Sequence, residues 1–290
     1  MKNINKKTLI LVSLAFVLIL SLSMLFIYQY KNSNRYTILN EAKKSEEGVE
    51  DENNVDDSTE DISESIDEET PEQINTQENG SSASSVNWWE YPEEIYEAER
   101  DGDDLLVLVN KKYKLPSSYT PSDLVKASES GIRRGENYYL REILIADLTN
   151  LVNDAESAGI DLSIVSGYRS YSTQESTYQH WVNYNGGDTD EADKISARAG
   201  HSQHQLGTTV DFSTSEISDG IGSQFNGTAA QEWLETNAYK YGFVLAYPYG
   251  REEITGYSYE SWHYRYIGIE NAKGVYENGM ILEIYLEGKN

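Results

Sequence analysis

The stretch HSQHQLGTTVDF, His201 to Phe212, carries two of the chain's four histidines and an aspartate set between Val210 and Phe212. Alternation along GTTVDF sends Val210 and Phe212 to one side, the core, and Thr209 and Asp211 to the other. Asp211 therefore faces a cleft or solvent, and His204, one glycine turn earlier, can fold its imidazole beside that carboxylate. Near the C-terminus, ESWHYRYIG puts Glu260 three residues before His263 with a tryptophan between them. Imidazoles and a carboxylate are the ligands Zn²⁺ accepts when no thiolate is available, and a catalytic site takes three protein ligands and leaves a place for water. His204, Asp211 and His263 supply that set, and Glu260 remains to take a proton from the water. In a regular strand, positions 260 and 263 face opposite ways, so a turn or bulge must bring them together.

Composition narrows the chemistry further. The chain has no cysteine, which excludes disulfides, thiolate metal sites and cysteine nucleophiles. A formal charge of -26 argues against a nucleic-acid backbone or an anionic lipid surface as the main partner, because both demand a basic face. A serine nucleophile is the rival reading, with Ser166 just before a glycine, but no G-x-S-x-G elbow is present.

The elements that must position these residues follow from periodicity. LLVLVN, Leu105 to Asn110, has the form of a short buried strand, followed by a loop pinned by Pro116 and Pro121. Leu140, Leu144, Leu148, Leu151, Val152 and Ala155 recur at helical spacing before Gly159, predicting a helix from Tyr139 to Ala158 with one buried face. DLSIVSGYRSY predicts a strand running into a glycine turn, with Arg169 just past it. Further helices are expected from Thr173 to Tyr184 and from Thr228 to Gly242, and strands in FVLAYP and WHYRYIG. Helices and non-adjacent strands in this order define an α+β class: a small, mainly antiparallel sheet with flanking helices around the zinc cleft.

Ahead of that domain the pattern changes twice. Thr8 to Tyr28 is an uncharged run long enough to cross the hydrocarbon core at about 1.5 Å per residue. Lys2, Lys6 and Lys7 precede it, which places the N-terminus in the cytoplasm and the rest outside. The run exceeds a usual signal-peptide core and no small-residue cleavage site follows, so it is expected to be an uncleaved anchor. From Glu41 to Ser85 the chain is Glu, Asp, Ser, Asn and Thr with no aromatic residue, which predicts an extended, self-repelling tether. The expected organisation is a cytoplasmic tip and transmembrane anchor over 1–35, a disordered acidic linker over 36–87 and a catalytic domain over 88–290. This describes a single-pass protein of the cell membrane with its domain extracellular.

Three motifs in order carry a family resemblance. S-x-H-x-x-G-x-x-x-D from Ser202 to Asp211, E-x-W-H from Glu260 to His263, and SGYRSYxxQ from Ser166 to Gln174 resemble the VanY-type D-alanyl-D-alanine carboxypeptidases. These are zinc peptidases of a group that also includes D-Ala-D-Ala dipeptidases and lysostaphin-like enzymes. The resemblance spans about Leu105 to Leu286. It implies His204, Asp211 and His263 as zinc ligands, Glu260 as general base, and Arg169 as the group that polarises the scissile carbonyl. It further implies that Gln174 and Ser202 help hold the substrate's terminal residue. His201 and His180 match no ligand position and are taken as a polar cleft neighbour and a helix-surface residue. The implied activity is zinc-dependent removal of the terminal D-Ala from peptidoglycan stem peptides. The alternatives are an L,D-carboxypeptidase acting on tetrapeptide stems and an inactive wall-binding domain. Two positions depart from the family pattern: Ala199, where many relatives have proline, and Ala246, where many have arginine, a change expected to alter the substrate groove.

Overall fold

The computed structural model of the protein describes residues 87–289. In chain order its elements are β1 (Tyr96–Glu97), β2 (Tyr113–Lys114), β3 (Leu124–Lys126), β4 (Tyr139–Arg141), α1 (Ile145–Ser157), β5 (Ser163–Ser166), α2 (Tyr171–Tyr184) and α3 (Thr189–Ile195). There follow β6 (Thr209–Ser213), α4 (Ala229–Asn237), β7 (Phe243–Leu245), α5 (Glu252–Thr255), β8 (His263–Tyr266), α6 (Ile269–Glu277) and α7 (Leu282–Glu287). The α+β class expected from the sequence is the one observed. Among the described residues no helix is long and apolar enough to cross a membrane. The anchor expected at Thr8 to Tyr28 and nearly all of the acidic linker lie outside the described residues.

A four-stranded sheet of order β5-β6-β8-β7, antiparallel throughout, organises the domain. Its two faces are separated by the alternation of β6 and β8. Val210, Phe212, Tyr264 and Tyr266 join Phe243 in the main core, against Leu148, Leu151 and Ala155 of α1 and Ala230 and Leu234 of α4. Each buried side chain of this size stabilises the fold by about 1.5–3 kcal/mol relative to exposure. The other face carries Thr209 and Asp211 of β6 opposite Arg265 and His263 of β8. A second apolar cluster, containing Leu108, Ala246, Tyr247, Tyr257 and Ile267, packs with the C-terminal helices through Ala272, Val275, Leu282 and Leu286. Ala246, the site of the second family departure, is 2% exposed within it.

Two expectations from periodicity need correction. Leu105 to Asn110 forms no strand. Val107, Leu108 and Val109 are buried as expected, but no sheet edge is offered to this segment. The carbonyls of Leu105 and Val107 instead accept from the guanidinium of Arg265, at 3.1 and 3.2 Å. The helix expected from Tyr139 begins only at Ile145. Tyr139–Arg141 pairs with β3, and the backbone N–H groups of Arg141 and Glu142 are spent on the carbonyls of Gly207 and Asp123. Leu140 is buried in the same cluster as Leu144 and Leu148, but from a strand, so its helical spacing was coincidental. The helix ending at Tyr184 starts at Tyr171, capped by Ser170, whose Oγ accepts from the Thr173 N–H. The helix opened by Thr228 ends in a 3-10 turn (Ala238–Tyr241) closed by Gly242 in the left-handed region, as the sequence predicts.

Candidate active site

His204 sits in a short 3-10 turn (Gln203–Leu206) between loop and sheet. Ser202 caps the turn, its Oγ accepting from the His204 N–H at 3.3 Å. Gly207, at φ 67°, closes it in a conformation that other residues adopt only with strain, and so returns the chain into β6. The imidazole Nδ1 donates to the Gly167 carbonyl at 2.8 Å, leaving Nε2 as the free nitrogen. Gly167 follows a register shift between Ile164 and Ser166 that turns the end of β5 toward this ring. A Cβ at Gly167 would lie 2.7 Å from the Tyr139 carbonyl oxygen, so the close approach requires glycine.

Asp211 and His263 are register partners across β6 and β8. Asp211 Oδ2 lies 3.2 Å from His204 Nε2, and Asp211 Oδ1 lies 3.0 Å from His263 Nδ1. His263 directs its other nitrogen, Nε2, to Gln203 Oε1 at 3.3 Å. The two rings meet edge to face, 5.0 Å apart at 88°. Ligand atoms of all three residues fall within 4.8 Å of one another, and all three side chains are buried. The Asp211 Oδ1 atom, despite its proximity to His263, accepts no hydrogen bond of acceptable geometry. Two imidazole nitrogens and a carboxylate in mutual contact, directed at one small volume, are a donor set suited to a divalent cation of the zinc type.

Glu260 reaches the same volume through the turn that the spacing demanded. Its N–H donates to the Tyr247 carbonyl and its carbonyl accepts from the His263 N–H, so residues 260–263 turn into β8. Glu260 Oε2 stands 3.4 Å from His263 Nδ1, with the side chain 18% exposed toward the cleft. The Tyr247 ring backs His263 at 4.7 Å. Burial, reinforced by the Asp211 charge and opposed by Arg169, pushes the Glu260 carboxyl well above its ordinary range. At Asp211 burial acts in the same direction, but the two imidazoles outweigh it and hold the carboxyl well below the usual carboxylate range. Burial lowers His263, against the pull of Asp211. Two carboxyl groups in one pocket are thus driven apart, one toward a permanent anion and one toward a proton carrier.

Arg169 is fixed from several directions. Its N–H donates to the His204 carbonyl, Nη1 to Gln174 Oε1 at 2.8 Å and Nη2 to Ser166 Oγ at 3.0 Å. Gln174 is 1% exposed, and its amide nitrogen donates to the Ala197 carbonyl at 2.6 Å. In this structure Gln174 braces Arg169 and Ser202 caps the turn of His204. His201 stands apart from the trio: it donates through Nδ1 to the Asn110 carbonyl at 2.7 Å, and burial lowers it to about 4. His180 is exposed on α2, as expected. Sequence reasoning missed the partners of these groups. Ser166 entered as the start of the SGYRSYxxQ motif and as a rival nucleophile, not as a partner of Arg169, and Gln203 carried no signal beyond lying between Ser202 and His204.

This constellation, with a carboxylate beside a buried His-Asp-His trio and an arginine braced nearby, defines a metal-dependent hydrolase. The VanY family model, D-alanyl-D-alanine carboxypeptidase, matches residues 137–269. A D-alanyl-D-alanine carboxypeptidase of Enterococcus faecalis is 35% identical over 209 residues, 68% of this chain and 73% of the relative. Among solved structures, the LD-carboxypeptidase LdcB is 33% identical with a TM-score of 0.59, covering 68% of this chain and 98% of its own. A vancomycin-resistance D,D-pentapeptidase VanY from a VanB-type cassette, solved in complex with Zn(II), is 31% identical with a TM-score of 0.53, covering 64% and 99%. The chain belongs to the VanY family and is a metallo-carboxypeptidase of the D-alanyl-D-alanine type.

Proposed function

We propose that this protein is a zinc-dependent D,D-carboxypeptidase that removes the terminal D-Ala from peptidoglycan stem peptides. His204 through Nε2, Asp211, and His263 through Nδ1 hold the zinc. The observation that carries this reading is the convergence of their ligand atoms within 4.8 Å, with Glu260 Oε2 at 3.4 Å from one of them. The Zn(II) in the VanY neighbour supports the choice of metal. Zinc supplies Lewis acidity there, making a water nucleophilic near neutral pH and drawing charge from the scissile carbonyl. Glu260 takes the proton of the attacking water and returns it to the amine of the departing D-Ala. Arg169 turns its remaining N–H groups to the carbonyl oxygen as negative charge develops, its position set by Gln174 and Ser166. Gln174 and Ser202, buried beneath the place of the substrate's terminal residue, support it through Arg169 and the turn of His204.

We propose also that the uncharged run from Thr8 to Tyr28 serves as a membrane anchor, with the catalytic domain outside the cell. L,D-cleavage of tetrapeptide stems is the second reading, supported by the likeness to LdcB. The two differ in the configuration of the residue before the scissile bond, and a steric clash there is enough for about a hundredfold preference. Incubating the chain separately with defined pentapeptide and tetrapeptide stems, and weighing the products, tests the choice. Loss of alanine from the pentapeptide is expected. Loss from the tetrapeptide with the pentapeptide untouched would reverse the specificity and leave the zinc site standing.

A further inference from the structure

The two imidazoles of the site are oriented by partners of different kinds. His204 Nδ1 donates to a backbone carbonyl, that of Gly167, which no side-chain substitution removes. His263 Nε2 has a side chain as its partner, Gln203 Oε1. Both members of that pair are 3% exposed, so neither can exchange its partner for bulk water. The position of Gln203 is itself fixed. It opens the 3-10 turn capped by Ser202, and its carbonyl accepts from Thr209 Oγ1 at 3.1 Å, tying the turn to the start of β6.

We infer that Gln203 is a positioning residue for the metal centre: its amide oxygen, accepting from His263 Nε2–H, fixes the ring so that Nδ1 faces the metal volume beside Asp211, and so sets how tightly the ion is bound. The inference rests on the zinc reading above. A metal-ligating imidazole commonly donates its other N–H to an acceptor that fixes the orientation of the ring. Gln203 Oε1 is that acceptor on the side away from Asp211. Without it the Nε2–H is buried with no partner, and the ring is held only from the Nδ1 side, where the carboxylates of Asp211 and Glu260 lie at 3.0 and 3.4 Å. The ring can then leave the orientation that presents Nδ1 to the metal, and affinity falls. An amide is also a weaker acceptor than a carboxylate, so a glutamate here makes His263 a stronger donor to the metal.

The test is zinc affinity of the full chain by competition with a chromophoric chelator, beside the melting temperature of the metal-free protein. Gln203→Leu is expected to weaken zinc by about 10- to 100-fold, more than the small loss of metal-free stability from the unpaired N–H accounts for, and Gln203→Glu to bind at least as tightly as wild type. Cobalt substituted for zinc should show a shifted visible spectrum in Gln203→Leu and a wild-type-like one in Gln203→Glu. Equal zinc affinity in wild type and Gln203→Leu would overturn the inference alone. So would a loss of affinity matched by lower metal-free melting, which would make Gln203 merely structural. A wild type that takes up no zinc would overturn the metal reading together with this one.

Discussion

Replacing Glu283 by glutamine should stabilise the domain at alkaline pH and leave it unchanged at acid pH. Glu283 lies in α7, 5% exposed, and its Oε1 accepts from Asn110 Nδ2, in the residue whose carbonyl anchors His201. Burial raises its carboxyl from 4.5 to about 8, although Asn110 and the Arg265 charge pull the other way. Between those values the folded chain keeps a proton that the unfolded chain has lost, so stability falls as pH rises from about 4.5 to about 8 and is level above that. The window of about 3.5 units corresponds to about 5 kcal/mol at 1.36 kcal/mol per unit. Structural relaxation and water entry reduce such penalties, and about 2–3 kcal/mol is the expected effect. Glutamine keeps the acceptor for Asn110 and matches the protonated acid in shape, but never ionises. Urea denaturation of the wild type and Glu283→Gln at pH 5 and pH 9 measures the difference. Coincident curves at pH 5 and a variant more stable by about 2 kcal/mol or more at pH 9 are expected. A variant with the same deficit at both pH values would refute the reasoning, because it would mean that Glu283 is ionised and paired throughout.

Two further changes separate the chemistry from its support. Arg169→Lys should lower kcat by about 10²- to 10³-fold with zinc content unchanged, because an ammonium cannot serve Gln174, Ser166 and the carbonyl oxygen at once; steady-state kinetics beside metal analysis checks it, and near-wild-type turnover would remove Arg169 from the mechanism. Tyr91→Leu should cost about 3 kcal/mol of stability by urea denaturation: its hydroxyl accepts from the Arg198 N–H at 2.9 Å and its ring lies 4.9 Å from that of His201, clasping the loop that leads to Ser202 and His204. A change under about 0.5 kcal/mol would show that this N-terminal segment only rests on the loop.

The metal-facing side of the sheet was legible because strand alternation is a local rule. Val210 and Phe212 had to enter the core, so Asp211 had to leave it, and cross-strand pairing with His263 then needed nothing beyond antiparallel register. The turn that lifts Glu260 beside His263 could be demanded from spacing but not drawn, since it depends on a hydrogen bond to Tyr247, distant in sequence. Leu105 to Asn110 has a strand's composition and burial, yet a strand also needs a neighbour to pair with, and what reached its carbonyls was a buried arginine. Leu140 fits a helical period by chance while Arg141 and Glu142 commit their backbone to Gly207 and Asp123. The bracing of Arg169 by Gln174 and of His263 by Gln203 was illegible for the same reason: an amide side chain shows no periodicity, and its partner is decided by tertiary structure.

The central claim is that His204, Asp211 and His263 hold a catalytic zinc while Glu260 works beside it as a base. Elemental analysis of the purified full chain, with activity measured on the same samples for the wild type, His263→Ala and Glu260→Ala, tests it most directly. The account predicts a single zinc ion per chain in the wild type and in Glu260→Ala, none in His263→Ala, and turnover lost in both variants. An active wild type with no transition metal, or equal loss of zinc in the two variants, would contradict it.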